Sequence, residues 1–334
     1  MTDNGNRSEN SEESPFDFQK FEELLKDICT LDPKIEKVLH SFKGDNFQPN
    51  VDCEFLLIKS KEKIVREEDF IKVLLGAIVR YTLKYIKTHP SSKNPTPKEV
   101  EDFQLLNMVD LVHEAKGLFI QKLSEEKPTT SEFGELFLFM LLENKGIVQL
   151  LNKMNLKTNG DMPIHGLDAI HIGVRGDALT FYYGYSKVYD DHTDAVRSSL
   201  KEIDVFSKNQ KRQDREFDLV SDYIDKEKFR DFSDKIINII SPYASDKSFV
   251  SEAHAVFAGY HWSLLDDPTT AEGTKLDEYL KDEYLKKTKQ MEKNIKSHIK
   301  DFPDSRNYSF LFWTLPLSDL KLFRLKFVDR VKSL

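Results

Sequence analysis

Apolar residues recur three or four positions apart along most of this chain, which is the spacing of amphipathic helices. The pattern predicts helices over 16–31, 67–87, 97 to about 122, about 132–154, 191–206, 214–225, 227–240, 275–300 and from 316 onward. The helix at 97 also has a start signal, because Thr96, Pro97 and Glu99 match an N-cap, a first helical proline and a capping box. The charged helix over 275–300 is expected to present a solvated face.

Shorter segments rich in β-branched and aromatic residues predict strands. They cover Val51–Ile58, 167–188, 253–265 and 308–315. Gly176 and Asp177 interrupt the second of these segments and predict a hairpin turn between two antiparallel arms. Helices around a small central sheet make the expected fold α/β.

The organisation that we expect has three parts. Residues 1–15 are polar and acidic, which predicts a disordered tail. Residues 16–125 form an N-terminal helical region with one or two strands, and residues 126–334 form the core. No linker between the last two parts is strong enough to separate them, so they can form one continuous domain.

Composition excludes several classes of protein. With 334 residues, 39% of them apolar and 32% charged, the chain is typical of a globular protein with a substantial core. No apolar run approaches the roughly 18 residues of a membrane span. Two cysteines, Cys29 and Cys53, predict no disulfide framework, and we therefore expect a cytoplasmic protein. A net charge of -8 argues against wholesale binding to nucleic acid but allows a local basic groove.

The candidate chemistry lies on the predicted hairpin and the helix before it. Glu135 lies early in that helix, Asp168 begins the first arm and Lys187 ends the second. Side chains on a strand alternate between faces, so Tyr185 and Lys187 project together. The hairpin brings the Asp168 end of one arm near the Lys187 end of the other. If the helix packs across it, two carboxylates and one ammonium group converge.

These residue types suit metal-dependent cleavage of a phosphodiester. Mg²⁺ prefers oxygen ligands and keeps several waters, so one or two carboxylates are sufficient to bind it. The ion polarises the phosphate and lowers the pKa of water, while a nearby lysine stabilises the charge that develops. The pattern therefore favours Mg²⁺ or Mn²⁺ held by Asp168 and Glu135, with Lys187 beside the phosphate.

The order of these motifs is also that of a known family. Gly-Glu on a helix, Gly-x-Asp-x-Ile-His on a strand and Gly-x-Ser-Lys on the next resemble the PD-(D/E)XK nuclease superfamily. Within it, the chain resembles the HamA/AbpA-type effectors of Hachiman-like anti-phage systems. The aromatic segments AVFAGYHW and FLFWTLPLSDL extend the resemblance, which covers roughly residues 50–334.

The resemblance implies a fold and a function. The fold is a restriction-endonuclease-like core, a small mixed sheet flanked by helices, with additional N- and C-terminal helices. Asp168 and Glu135 would bind the metal, and Asp168, Lys187 and Glu135 would be catalytic. The activity would be a metal-dependent DNA nuclease, restrained by a superfamily 2 helicase encoded beside it and released by phage-associated DNA damage. No membrane and no small-molecule cofactor is expected.

One position departs from the family pattern. Where the family has a second acidic residue on a strand, this chain has Tyr185. A phenol with a pKa of about 10 is a poor Mg²⁺ ligand. Three explanations remain open. The acid has moved to a helix, with Glu202, Glu143 and Asp191 as candidates. Alternatively, Asp168 and a backbone carbonyl hold the ion. As the third alternative, catalysis is lost, and the chain is a non-enzymatic adaptor that binds DNA or the helicase.

Structural explanations compete with the functional ones. A glutamate early in a helix is favoured by the helix dipole alone, and a lysine at the end of a strand can point into solvent. A basic run follows the hairpin and is either a solvated surface or a surface that tracks phosphates: Lys201, Lys208, Lys211, Arg212 and Arg215.

The histidines are not expected to bind metal. His165, Asp168 and His171 lie on alternating faces of a strand, so they cannot converge on zinc. We expect a structural hydrogen bond from His171. His254 and His261 are expected to be core or edge residues.

Overall fold

The computed structural model describes most of the chain. It covers residues 16–29, 34–45, 47–90, 95–122, 131–151, 167–176, 178–241, 244, 247–267, 275–302 and 308–334. The expected disordered tail over 1–15, as well as His165 and Asp177, lie outside the described residues.

Helices contribute most of the described chain. In chain order they are Phe18–Ile28 (α1), Ile35–Val38 (α2), Glu67–Leu75 (α3), Ile78–Thr82 (α4), Tyr85–Thr88 (α5), Pro97–Lys122 (α6), Ser131–Asn144 (α7), His192–Ser207 (α8), Gln210–Tyr223 (α9), Lys226–Phe229 (α10), Ser233–Ile240 (α11), Leu276–Asp301 (α12) and Leu320–Lys332 (α13).

The strands are shorter and form one large sheet and one small hairpin. They are Leu39–Lys43 (β1), Val51–Ile58 (β2), Ser60–Lys61 (β3), Ile64–Val65 (β4), Val148–Gln149 (β5), Ala169–Arg175 (β6), Ala178–Tyr189 (β7), Val250–His261 (β8) and Ser309–Leu317 (β9). The large sheet has the order β1-β2-β9-β8-β7-β6-β5, and β3 pairs with β4.

The large sheet is mixed. Its three central pairings, β2 with β9, β9 with β8 and β8 with β7, are parallel. The outer pairings are antiparallel. The two parallel crossovers after β7 and β8 pass through helices, as parallel strands require. Strands from both the N-terminal region and the core therefore share one sheet.

Helices cover both faces of the sheet, which confirms the predicted α/β class. One apolar layer joins the sheet to α1, α8, α9 and α12, and a second joins it to α3, α4, α6, α7 and α13. Strand β8 is buried on both faces from Ala253 to Tyr260, which explains its continuous apolar and aromatic sequence. The predicted strands in the four segments are confirmed, whereas β1, β5 and the short strands β3 and β4 were not predicted.

Three predicted helices differ from the observed ones, and the segment 227–240 is divided at the turn Arg230–Phe232 between α10 and α11. The segment 67–87 forms three short helices, because Gly76 and Ala77 follow α3 and Leu83 takes an extended conformation after α4. Helix α7 ends at Asn144 rather than near 154. Gly146 has a φ of 75°, and Ile147 N–H donates to Leu142 C=O at 3.0 Å, which is a Schellman-type helix end. That turn leads directly into β5.

Two further predictions have clear outcomes. The capping box is confirmed, since Thr96 N–H donates to Glu99 Oε2 at 2.7 Å and Glu99 N–H donates to Thr96 Oγ1 at 3.3 Å. The charged helix α12 has a second, apolar face that is buried, including Tyr284 and Ile295. Within the described residues, none of the helices has both the length and the apolar content needed to cross a membrane.

Candidate functional site

The candidate site is built on the β6–β7 hairpin. Ala169 pairs with Gly184, so Asp168 lies just before β6 and opposite Tyr185. Asp168 N–H donates to Gly184 C=O at 3.1 Å, and Ser186 N–H donates to Asp168 Oδ2 at 2.7 Å. The carboxylate is thereby fixed to the second arm, close to the strand end that carries Lys187.

Helix α7 brings Glu135 to the hairpin by unusually close packing. A Cβ atom on Gly134 would lie only 2.1 Å from Ser186 Oγ, so any larger residue here requires the Ser186 side chain or the helix to move. Glu135 is buried beside it, and its Oε2 accepts a hydrogen bond of 3.1 Å from the Tyr81 hydroxyl. Tyr81 comes from α4, 54 residues earlier. Sequence reasoning missed Tyr81, because no local motif connects it to Glu135.

Asp168 interacts electrostatically with both Glu135 and Lys187. Burial, and then the negative charge of Glu135, raise the pKa of Asp168 from 3.8 to about 6. The positive charge of Lys187 and the hydrogen bond from Ser186 N–H oppose this rise. The structure therefore brings the three predicted residues into one electrostatic cluster. A bound cation would relieve the repulsion between its two carboxylates.

Lys187 is held by an acid from the next helix. Its Nζ lies 2.6 Å from Glu202 Oε2, and Arg212 NH2 lies 3.7 Å from Glu202 Oε1. Burial opposes the charged form of Lys187, but Asp168 and the hydrogen bond to Glu202 outweigh it and raise its pKa. Lys187 is therefore an ammonium at neutral pH, suited to stabilise negative charge and unsuited to act as a base.

Tyr185 is a core residue. Its ring is buried in the apolar layer shared with α8 and α9, and its hydroxyl has no hydrogen-bond partner within the described residues. Burial, followed by the charge of Glu202, raises the pKa of Tyr185 well above 10. The phenol therefore stays neutral and does not replace the expected acid as an ionic ligand.

The structure separates the three candidates for the relocated acid. Glu202 on α8 contacts Lys187 and is close enough to raise the pKa of Asp168. Glu143 forms an ion pair with Arg80 at 3.2 Å in a separate pocket. Asp191 is the N-cap of α8 and accepts hydrogen bonds from the first turn of that helix. Only Glu202, of these three, belongs to the cluster.

The basic run after the hairpin is only partly connected with the cluster. Arg212 contacts Glu202, whereas Lys208 pairs with Asp204 at 2.7 Å. The remaining three side chains, Lys201, Lys211 and Arg215, are exposed. Nucleic-acid binding by these residues remains a prediction.

His171 and His254 are buried, and their burial favours the neutral rings. Burial lowers the pKa of His171 and of His254 to about 3. The structural hydrogen bond expected for His171 is not found, because neither ring nitrogen has a partner within the described residues. His254 is a core residue, and His261 pairs with Asp266 at 2.8 Å.

The donor set fits a hard divalent cation with a small number of protein ligands. In the part of the chain that the structure describes, no three His, Cys, Asp or Glu side chains are grouped to share one ion. Mg²⁺ needs only one or two carboxylates, because it retains waters. Asp168 and Glu135 provide two carboxylates in a partly buried site. Because burial and Glu135 disfavour the anionic form of Asp168, a bound divalent cation would stabilise that form.

Comparison with known proteins gives the family. No curated protein matches the chain significantly. A family model described as HamA matches residues 32–331, which include every element from α2 to α12 and all but the last residue of α13. The match therefore spans both layers of helices, the whole large sheet and the candidate site. This chain belongs to the HamA family, which supports a role in Hachiman-type anti-phage defence.

Proposed function

We propose that this protein is a metal-dependent DNA nuclease, acting in the cytoplasm as the effector of a Hachiman-type defence system. One observation carries the proposal: Asp168, whose pKa is raised by burial and then by the charge of Glu135, shares one electrostatic cluster with the protonated amine of Lys187. Metal-dependent phosphodiester hydrolysis uses two carboxylates and a positively charged side chain. Here the strand pair and the helix α7 supply these three groups.

Each residue of the cluster has a separate task. Asp168 and Glu135 would hold Mg²⁺ or Mn²⁺, which supplies the charge that polarises the phosphate and lowers the pKa of the attacking water. The hydrogen bond from Ser186 N–H orients Asp168, and the Tyr81 hydroxyl orients Glu135. Lys187 stabilises the negative charge that develops on the phosphate oxygens.

Glu202 is proposed as the acid that replaces the missing strand carboxylate. It reaches the cluster from α8, where Lys187 and Arg212 neutralise it. In this position it holds the lysine in place and keeps it charged. Tyr185 then needs no role in catalysis, and its burial in the core is sufficient reason for an aromatic residue there.

The regulation that we propose comes from the family. A nuclease without base-reading elements would damage the host chromosome, so a helicase encoded beside it would restrain it until phage-associated DNA damage occurs. DNA would reach the cluster along α8 and α9, where Lys201, Lys211 and Arg215 are exposed.

The test is cleavage of plasmid DNA by the purified chain, alone and with its helicase, in Mg²⁺ or Mn²⁺. Asp168→Ala and Lys187→Ala should each reduce cleavage at least ~100-fold, since each removes a charge from the reacting centre. Lys286→Ala removes an exposed lysine from α12 and serves as the control. Cleavage that persists in both cluster variants contradicts the proposal.

A second candidate function is a non-catalytic adaptor. It is favoured by Tyr185 in the position of the acid and by Lys187, whose amine is already engaged by Glu202. The adaptor predicts no cleavage in any background and full defence in cells that carry Asp168→Ala. A nuclease predicts that the same cells lose defence.

A further inference from the structure

The first half of α6 presents apolar side chains to solvent. Leu105, Leu106, Met108 and Val109 are 62%, 86%, 52% and 81% exposed. Residues three and four apart share one side of a helix, so these four form a continuous stripe. Exposed apolar residues are ordinary when scattered, whereas four within five positions are typical of an interaction surface.

The second half of α6 is already packed on the protein. Leu111, Ala115 and Phe119 belong to the apolar layer, and the Phe119 ring packs against Tyr81 and Phe327. The apolar surface of α6 therefore extends beyond the part that the fold covers, and the side chains of the stripe in the first half stay exposed.

Helix α6 is fixed before any partner binds. Its first turn is closed by the Thr96 and Glu99 capping box, and Gln104 Nε2 donates to Thr88 C=O at 3.2 Å. The stripe is therefore presented on a preformed helix, which limits the entropy lost on association.

The charges around the stripe indicate the occupant. Four acidic residues and one lysine lie between 97 and 110. Glu101, Asp102 and Asp110 are exposed, and within the described residues none of them pairs with a basic group. This negative rim disfavours DNA and anionic lipid. It also disfavours a symmetric pair of α6 helices, which would place acid against acid.

We infer that the stripe from Leu105 to Val109 is the docking surface for an amphipathic helix of a partner protein whose apolar face is flanked by lysines or arginines. Helix-in-groove recognition uses apolar anchors at this spacing, and the charged rim selects the partner. The identity of the partner, the helicase encoded beside the chain, rests on the proposed function.

The experiment measures the Kd between the full chain and that helicase. The double variant Leu106→Glu/Val109→Glu should weaken binding at least ~100-fold, because anchors at the centre of an interface carry most of the binding energy. Asp110→Lys should weaken it about 10-fold through repulsion of the basic rim. Ile64→Glu, at an apolar side chain that is 70% exposed on β4, is the matched control and should leave the Kd unchanged.

Three outcomes overturn the inference. The first is that the double variant binds the helicase as tightly as the wild type does. The second is that the wild type does not bind the helicase at all. The third is that the chain alone is a dimer and the double variant is a monomer. Plasmid cleavage by the isolated chain is measured in parallel. Loss of binding with intact cleavage supports docking at α6, while absence of cleavage in the wild type contradicts only the nuclease proposal. Unfolding temperatures within about 2 °C of the wild type show that the exposed substitutions preserve the fold.

Discussion

Lys187 Nζ and Glu202 Oε2 lie 2.6 Å apart, and they join the end of β7 to the middle of α8. Both side chains are partly buried, so the pair is less screened by salt than a surface ion pair. The contact keeps Lys187 charged and fixes its amine beside Asp168. Glu202 also places a carboxylate near Lys187, where the neutral phenol of Tyr185 cannot provide a negative charge.

Glu202→Gln is expected to lower the rate of DNA cleavage. The amide can still accept a hydrogen bond from Lys187, but it no longer holds the ammonium by charge. Loss of a group that orients a catalytic residue typically reduces activity about 10–100-fold. Asp204→Asn, which disrupts the ion pair with Lys208 on the same helix, is the control. Faster cleavage by Glu202→Gln would show that the ion pair restrains Lys187 instead.

Asp168→Asn is expected to stabilise the protein against unfolding when no metal is present. The folded-state pKa of Asp168 is about 6, above the ordinary value of 3.8. The folded state therefore binds the proton more tightly, so ionisation costs stability progressively as the pH rises from about 4 to about 6.

Above pH 6 that penalty is complete, and asparagine removes it. The free energy of unfolding at pH 8 in EDTA should rise by up to about 3 kcal/mol, with little change at pH 4. Urea titration at the two pH values measures the difference. A variant that is less stable than the wild type at pH 8 would refute the electrostatic account of the cluster.

Gly134→Ala is expected to destabilise the fold through a single clash. The new Cβ would lie 2.1 Å from Ser186 Oγ, so either the buried Ser186 side chain or α7 must shift. Overpacking of this kind costs about 1–3 kcal/mol. Ser186→Ala removes the clashing atom, which has no hydrogen-bond partner within the described residues.

The double variant Gly134→Ala/Ser186→Ala should therefore regain most of the lost stability, since the next nearest atoms lie 3.4 Å away. Thermal unfolding of the four proteins measures the coupling. Additive effects, with no rescue by Ser186→Ala, would show that α7 does not pack on β7 as described.

Tyr185→Phe is expected to leave DNA cleavage unchanged and to preserve or slightly increase stability. The substitution removes a buried hydroxyl that has no hydrogen-bond partner within the described residues. Tyr185→Glu places a charge among apolar side chains and should destabilise by several kcal/mol. Initial cleavage rates and urea titration check both. A large loss of activity in Tyr185→Phe would assign the phenol a catalytic role.

Much of the fold could be predicted from the sequence, because apolar spacing is a local signal. The strand Val51–Ile58 and the arms of the β6–β7 hairpin followed from it directly. The break in 67–87 did not, because the apolar positions keep their helical spacing across the extended residue Leu83. Strand β5 was hidden inside a predicted helix, whose end at Gly146 is set by a single positive φ.

The sequence predicted a residue of the cluster only if a motif or the pairing of two strands connects it to the others. Asp168 and Lys187 lie on paired arms, so their proximity follows from the hairpin. Glu202 was one of three candidates, and only the packing of α8 on β7 distinguishes it from Glu143 and Asp191. The contact between Tyr81 and Glu135 depends on tertiary packing between α4 and α7, for which the sequence has no local signal.

The account depends most on Asp168 and Glu135 forming one cation site. Titration of the purified chain with Mn²⁺, followed by the electron paramagnetic resonance signal of the free ion, measures that site directly. The wild type and the exposed-carboxylate control Asp190→Asn should each bind one ion, and Asp168→Asn and Glu135→Gln should each weaken binding at least ~10-fold. Equal Mn²⁺ binding by all four proteins would contradict the account.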